Sequence, residues 1–215
     1  MKTDNVAIGM VDDHDLFRNG IASILSKEPN FRIIMHEKNG VRFLARLSEM
    51  EGARLPDIVV TDVNMPSMDG FEILHWLRIN YPNIRTVALS MNGNDISILK
   101  MINRGVNAYL HKGMDIHEII AAIRNVAANG NYFDNLFGPE REVKIGDWAE
   151  KFGTMPESEK EWTRLLSTDL PLNQIGSHFN TSVGQVLERR DEIFRYFNVW
   201  SRPQLAVMAR TLSLR

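Results

Sequence analysis

The 215-residue chain contains no cysteine, which removes disulfides, thiolate metal sites and thiol nucleophiles from consideration. It also lacks long apolar runs. The first of them, Val6 to Val11, is six residues, whereas a membrane span needs about 20 and a secretory leader a longer core. A cytoplasmic protein with no membrane partner is therefore expected. Charge of one sign is missing too: 25 basic against 27 acidic residues give a formal net charge of −2, which excludes a polycation that coats nucleic acid over its whole surface. Any nucleic-acid contact must be local.

What remains is a chain with 44% hydrophobic and 24% charged residues, ordinary for a globular protein. Its length suits a domain of usual size plus a smaller one. Apolar strand-like runs alternate with helical spacings five times. Val6 to Val11 precedes Phe17, Ile21, Ile24 and Leu25; Phe31 to Met35 precedes Phe43, Leu44 and Leu47; Ile58 to Thr61 precedes Phe71, Ile73, Leu74 and Leu77. Thr86 to Ser90 is followed by Ile98, Leu99, Met101 and Ile102, and Ala108 to Leu110 by Ile116, Ile119, Ile120, Ile123 and Val126. Short strands apolar on both faces, each followed by a helix, predict an α/β fold: a five-stranded parallel, doubly wound, flavodoxin-like sheet with helices on both sides, spanning 1–128.

Between 129 and 155 periodicity fades, and Gly130, Gly138, Pro139, Gly146 and Gly153 punctuate the chain. This reads as a linker with one short helix around Asp147 to Phe152. From 156 to 215 the pattern is helical throughout, with apolar positions at Trp162, Leu165 and Leu166, at Leu172, Ile175 and Phe179, along Val183 to Phe197, and at Leu205, Val207 and Met208. Four short helices form a small all-α domain.

Reactive loops of a parallel sheet lie at the carboxyl ends of its strands. The first strand ends in Asp12-Asp13, the third in Asp62, the fourth in Ser90 and the fifth in Lys112, so these five side chains are expected to converge. Three carboxylates in one small space repel one another unless a cation sits among them, and a hard divalent ion such as Mg²⁺ suits an all-oxygen ligand set. Asp62 is then the nucleophile for a phosphoryl group, with Lys112 neutralising and the Ser90 hydroxyl donating to its oxygens. Singly, each residue has a plainer reading: Asp13 as a cap of the first helix, Lys112 as a solvated charge, Tyr109 as a packing residue. His14 and His111 flank the site, where they could tune it, solvent exposure being the simpler description. Asp57 reads as a turn residue, and Pro66 and Asp69-Gly70 as a turn leading into the third helix. The other histidines have no acid placed beside them that would make a hydrolase triad.

These motifs closely resemble the receiver domain of bacterial response regulators over roughly Asn5 to Ala128. The resemblance rests on Asp12-Asp13, the run Asp57 to Gly70 around Asp62, Ala88-Leu89-Ser90, and Ala108-Tyr109-Leu110-His111-Lys112. It implies phosphorylation of Asp62 by a sensor histidine kinase, Mg²⁺ held by Asp12 or Asp13, Asp62 and the Asn64 carbonyl, and rotamer changes of Ser90 and Tyr109. It implies no enzyme beyond slow self-dephosphorylation. An independent phosphohydrolase would need a second acid after the nucleophile, and Asn64 stands there.

In the C-terminal region, Ile175 to Phe179, a break at Asn180-Thr181 and a helix beginning at Ser182 make a helix-turn-helix candidate, with Ser182 and Gln185 as a capping box. Ser201 before Arg202-Pro203 caps the last helix. The segment Pro156 to Arg210 resembles, more loosely, the DNA-binding domain of NarL/LuxR-type regulators, which implies transcription regulation by homodimers formed on phosphorylation. The DNA-contact positions are Gln185, Glu188, Arg189, Arg190 and Arg195. Glu188 and Asp191 depart from the basic or uncharged residues usual there and oppose phosphate contact. The alternative is a phosphorylation-controlled protein-interaction module whose helical domain no longer binds DNA, its helix face being solvated with local pairs such as Glu188–Arg195 or Asp191–Arg195.

Overall fold

A computed structural model describes residues 5–50, 55–91, 93–137 and 145–214. Gly138 and Pro139, part of the expected linker punctuation, lie outside the described residues. The chain divides into two compact units, one made of residues 1–93 and 104–133, the other of 94–103 and 134–215.

The first unit carries five strands, β1 (Val6–Val11), β2 (Phe31–Glu37), β3 (Ile58–Asp62), β4 (Arg85–Ser90) and β5 (Ala108–His111), in the order β2-β1-β3-β4-β5. Every pairing is parallel, as apolar strands linked by helices require. Helices α1 (Asp15–Leu25) and α5 (Ile116–Asn129) bury Ile21, Leu25, Ile119, Ile123 and Val126 against Ile8, Met10, Val60 and Leu89. Helices α2 (Gly40–Ser48) and α3 (Gly70–Asn80) bury Phe43, Leu47, Ile73 and Leu77 with Val11, Met35 and Val59. Neighbouring strand residues such as Val59 and Val60 thus serve opposite layers, which is why β3 is apolar at each of its first three positions.

Local chemistry sets the helix ends. Asn39 caps α2 through Val41 and Arg42 amides, Asp69 and Glu72 form a reciprocal capping box at α3, and Gly130 ends α5 with φ 90°. Asp57 is more than a turn residue: its carboxylate accepts from the Ala7 amide at 2.7 Å and ties the start of β1 to that of β3. Asp13 does not cap α1, because the cap position falls to His14, whose side chain makes no capping bond.

The second unit holds α4 (Asp95–Asn103), a 3-10 turn at Asp134–Leu136, α6 (Ile145–Thr154), α7 (Glu157–Leu166), α8 (Leu172–His178), α9 (Val183–Phe197) and α10 (Arg202–Thr211). Helix α4 packs on α10. Residues read from sequence as linker contribute to this unit's core: Phe137, Trp148, Phe152 and Met155 are buried, and the Trp148 indole donates to the Phe197 carbonyl at 3.0 Å. The short helix expected around Asp147 to Phe152 is the middle of α6, which runs Ile145–Thr154; the burial of its residues departs from the linker reading. Buried Gln204 is satisfied by donating to the Leu136 carbonyl at 2.7 Å and accepting from the Trp200 amide at 2.8 Å.

Candidate functional site

The strand order reverses direction at β1 and β3, and ligands of open parallel sheets bind outside the carboxyl ends at such a point. Val11 pairs with Thr61, and Asp62 with Leu89, so Asp12 leaves β1 beside Asp62 at the end of β3. Ser90 ends β4 and pairs with His111, one residue before Lys112. The topology brings together the residues expected to converge.

Asp12, Asp62, Ser90, Tyr109 and Lys112 are all buried, and Asp13 is half-buried. Lys112 Nζ lies 2.6 Å from Asp62 Oδ2 and 2.8 Å from Asp12 Oδ2, and 4.9 Å from the Phe17 ring centre. One ammonium thus offsets two carboxylates, and a ring face covers it. Burial pushes the Asp62 carboxyl above the ordinary carboxylate range, opposed by the hydrogen bond and charge of Lys112. Burial likewise raises the Tyr109 phenol, which hydrogen-bonds to Ser90. The Asn64 amide donates to Asp62 Oδ1 at 3.2 Å.

Gly70 has a stricter role than turn chemistry suggests. A Cβ on it would lie 2.4 Å from the Asp62 carbonyl oxygen and 2.9 Å from Val63 Cα, so only glycine lets the α3 N-terminus approach the end of β3. Its amide donates to the Val63 carbonyl at 2.9 Å.

One residue goes beyond the sequence reading, and a second, His14, is placed more closely than that reading has it. Arg18 is buried, donates to the Asp12 carbonyl at 2.6 Å and pairs with Asp15, so it anchors the acidic turn after β1. The available signal was its position four residues after His14, on the turn of α1 that looks back at the strand end. His14 Nδ1 sits 3.0 Å from Asp13 Oδ1, 3.4 Å from Asp12 Oδ1 and 3.6 Å from Asp62 Oδ2. His111, exposed like His14, makes no such carboxylate contact but accepts from the Gly113 amide and meets the Met91 carbonyl.

The donor atoms of Asp12, Asp13, His14 and Asp62 all lie within 4.8 Å of one another. Asp13 Oδ1 and Asp12 Oδ2 are buried and accept no well-aligned hydrogen bond, Asp12 Oδ2 being held by Lys112 through charge alone. Carboxylate oxygens with unspent lone pairs in one cluster suit a hard divalent cation.

The helical unit places its candidate contacts less decisively. Ser182 and Gln185 form the expected capping box of α9, and Ser201 caps α10 with proline in its first turn. The turn between α8 and α9 is tight: the Thr181 amide donates to the Gly176 carbonyl at 2.8 Å, and a Cβ on Gly176 would lie 2.8 Å from the Thr181 carbonyl oxygen. Val186, Ile193, Phe194 and Phe197 form the buried face of α9, but Val183, expected there, is 41% exposed because it lies in the first turn beyond the packed stripe. Gln185, Glu188 and Arg195 are exposed, while Arg189 and Arg190 are half-buried. The ion pairs differ from those expected. Arg189 pairs with Glu192 at 2.7 Å and Glu159 at 3.3 Å, and Arg190 with Asp191 at 2.6 Å. Arg202 is turned inward, donating to the Leu166, Thr168 and Leu170 carbonyls after α7.

A parallel α/β sheet with an acidic triad, a hydroxyl and a lysine at its strand ends is the architecture of a receiver domain. The chain matches the response regulator receiver domain family over residues 8–124 and is 30% identical to the transcriptional regulatory protein DegU of Brevibacillus brevis, across 95% of this chain and 92% of DegU. It belongs to the response regulator family. It is also 26% identical to the DNA-binding transcriptional activator DevR/DosR of Mycobacterium tuberculosis, over 96% of this chain and 95% of that one. Among solved structures, the signal receiver domain of the NarL regulator from Mycobacterium tuberculosis superimposes with a TM-score of 0.53 at 26% identity, covering 59% of this chain and 98% of that domain. The response regulator RcsB in complex with DNA gives 0.55 at 16% identity, covering 97% and 100%, a likeness of fold. Among the described residues no helix is long and apolar enough to cross a membrane.

Proposed function

We propose that this protein is a transcription regulator switched by phosphorylation of Asp62, with a receiver domain over 1–128, a linker over 129–155 and a DNA-binding effector domain over 156–215. The observation that carries it is the convergence of Asp12, Asp13, Asp62, Ser90 and Lys112 at one sheet edge, with Lys112 Nζ 2.6 Å from Asp62.

The donor is a phosphohistidine of a sensor kinase. An Asp62 carboxylate oxygen attacks phosphorus, the P–N bond breaks, and the donor imidazole leaves with the electron pair. Lys112 neutralises charge on the transferring oxygens, and the Ser90 hydroxyl donates to one of them. Asp12, Asp13, Asp62 and the Asn64 carbonyl are the residues to hold Mg²⁺, which supplies charge neutralisation for the phosphoryl oxygens when bound. Tyr109, linked to Ser90, is placed to follow a movement of that hydroxyl.

In the effector domain, Ser182 to Phe197 is the recognition helix, with Gln185, Glu188, Arg189, Arg190 and Arg195 as contact residues. Phosphorylation raises affinity by pairing two protomers on two half-sites. The second reading, a protein-interaction module, is favoured by the carboxylate partners of Arg189 and Arg190, which compete with DNA phosphates.

The test treats wild type and Asp62→Asn with a small phosphodonor and Mg²⁺, reading intact mass, sedimentation and binding to captured genomic DNA. Wild type gains one phosphoryl group, self-associates and binds DNA more tightly, while Asp62→Asn does none of these. Uptake by both proteins overturns the phosphoacceptor assignment. Uptake without DNA binding at low salt hands the effector domain to the interaction-module reading.

A further inference from the structure

We infer that His14 is an imidazole ligand of the divalent-cation site, tuning it toward first-row transition ions, Mn²⁺ the weakest-binding among them, over Mg²⁺. The inference rests on the carboxylate cation site proposed above and adds a nitrogen donor to it.

His14 stands at the N-cap of α1, where a short oxygen-bearing side chain is favoured because it serves the free amides of the first turn. Its side chain makes no capping bond. The residue is instead held by its backbone, the His14 amide donating to Asp12 Oδ1 at 2.9 Å, with φ −83° and ψ 96°. That conformation turns the ring over the strand ends, and Nδ1 meets three carboxylates at 3.0, 3.4 and 3.6 Å. With metal–ligand bonds of roughly 2.1 Å, neighbouring donors of an octahedral ion lie roughly 3 Å apart. The separations of Nδ1 from Asp13 Oδ1 and Asp62 Oδ2 are those of adjacent corners, slightly opened.

An all-oxygen set suits Mg²⁺, whereas one imidazole among carboxylates raises affinity for Mn²⁺, Fe²⁺ or Zn²⁺ more than for Mg²⁺. The ring is 61% exposed on its side chain, so an arriving ion can reach it without unfolding the loop. A role in charge alone would be served by any cation at this position, and the two ideas therefore separate experimentally.

The probe is Mn²⁺ on the full-length protein. Calorimetric titrations of Mn²⁺ and Mg²⁺ are compared for wild type, His14→Asn, His14→Arg and Asp13→Asn, and the Mn²⁺-loaded proteins are examined by electron spin-echo envelope modulation, which detects a directly bound nitrogen. Folding of each variant is checked by circular dichroism. Wild type should show the nitrogen modulation and both His14 variants should lose it; the neutral His14→Asn should also lose about tenfold in Mn²⁺ affinity while its Mg²⁺ affinity changes far less, whereas the added charge of His14→Arg weakens both ions. Tight Mn²⁺ binding by wild type without nitrogen modulation overturns the inference and leaves the carboxylate site standing. Equal losses for both ions in His14→Asn, or retention of Mn²⁺ affinity in His14→Arg, also overturn it. If wild type binds neither ion, or Asp13→Asn binds as wild type does, the carboxylate site itself fails and the inference with it.

Discussion

The two units handle charge in opposite ways. In the sheet unit, five strands deliver three carboxylates, a hydroxyl and a lysine to one edge, where all but Asp13 are buried and each feels the others at short range. In the helical unit, Glu188, Asp191, Glu192 and Arg195 lie exposed along α9, and Arg189 and Arg190 are paired with acids three residues away, on α7, or next in sequence. Charge gathered by topology is desolvated and costly, hence poised for chemistry. Charge strung along a helix surface is screened and contributes little to stability, typically 0–1 kcal/mol per pair. The first arrangement identifies its own function, while the second leaves contact residues to be found by experiment.

That contrast is broken most directly at Gly70, where added atoms meet the backbone at the end of β3, at Asp62 and Val63. Gly70→Ala should cost about 3 kcal/mol in chemical denaturation and slow phosphate uptake by pulling α3 from Asp62. An unchanged unfolding midpoint would show that the loop yields without strain. In the helical unit the comparable change is Arg202→Ala, which strips three carbonyls after α7 of their donor. A loss of about 2 kcal/mol is expected, read as a lower melting temperature, with Arg202→Lys restoring only part of it because an ammonium cannot reproduce the fork.

Asp62→Asn sharpens the comparison through pH. Burial raises the Asp62 carboxyl in the folded protein, so as pH climbs through the carboxylate range the unfolded chain releases its proton first. The folded state binds more protons there, and stability falls until Asp62 itself ionises. Asp62→Asn removes that penalty. It should be more stable than wild type by on the order of 1 kcal/mol at neutral pH, with the gap closing toward acid. Melts across pH check this, and a constant gap would mean that the lost Asp62 charge is not its cause. The smallest effect is expected at the α9 cap. Ser182→Ala should cost about 0.5 kcal/mol, the low end for an N-cap, because the Gln185 side chain still accepts from the Ser182 amide at 3.1 Å. Denaturant titration resolves it, and a loss several times larger would show that the cap also fixes the turn from α8.

Much of the molecule could be read from its residues. Continuous apolar runs and period-3.6 spacings located the five strands and their helices, since a strand covered on both sides must be apolar throughout and a helix must bury one stripe. Carboxylates and lysine at successive strand ends implied the site, because parallel strands share one carboxyl edge. The capping boxes at Ser182 and the cap at Ser201 were legible because capping involves residues three apart in sequence. Three things were decided only by tertiary structure. Phe137, Trp148 and Phe152 fill the helical core from a stretch without periodicity, as packing there is set by contacts distant in sequence. Arg18 and Arg202 serve backbone carbonyls rather than solvent or DNA, a choice made by which chain ends lie within their reach. His14 was placed beside the site by its position in sequence, but that its ring nitrogen meets three carboxylates instead of capping α1 is a matter of side-chain packing that no local pattern encodes.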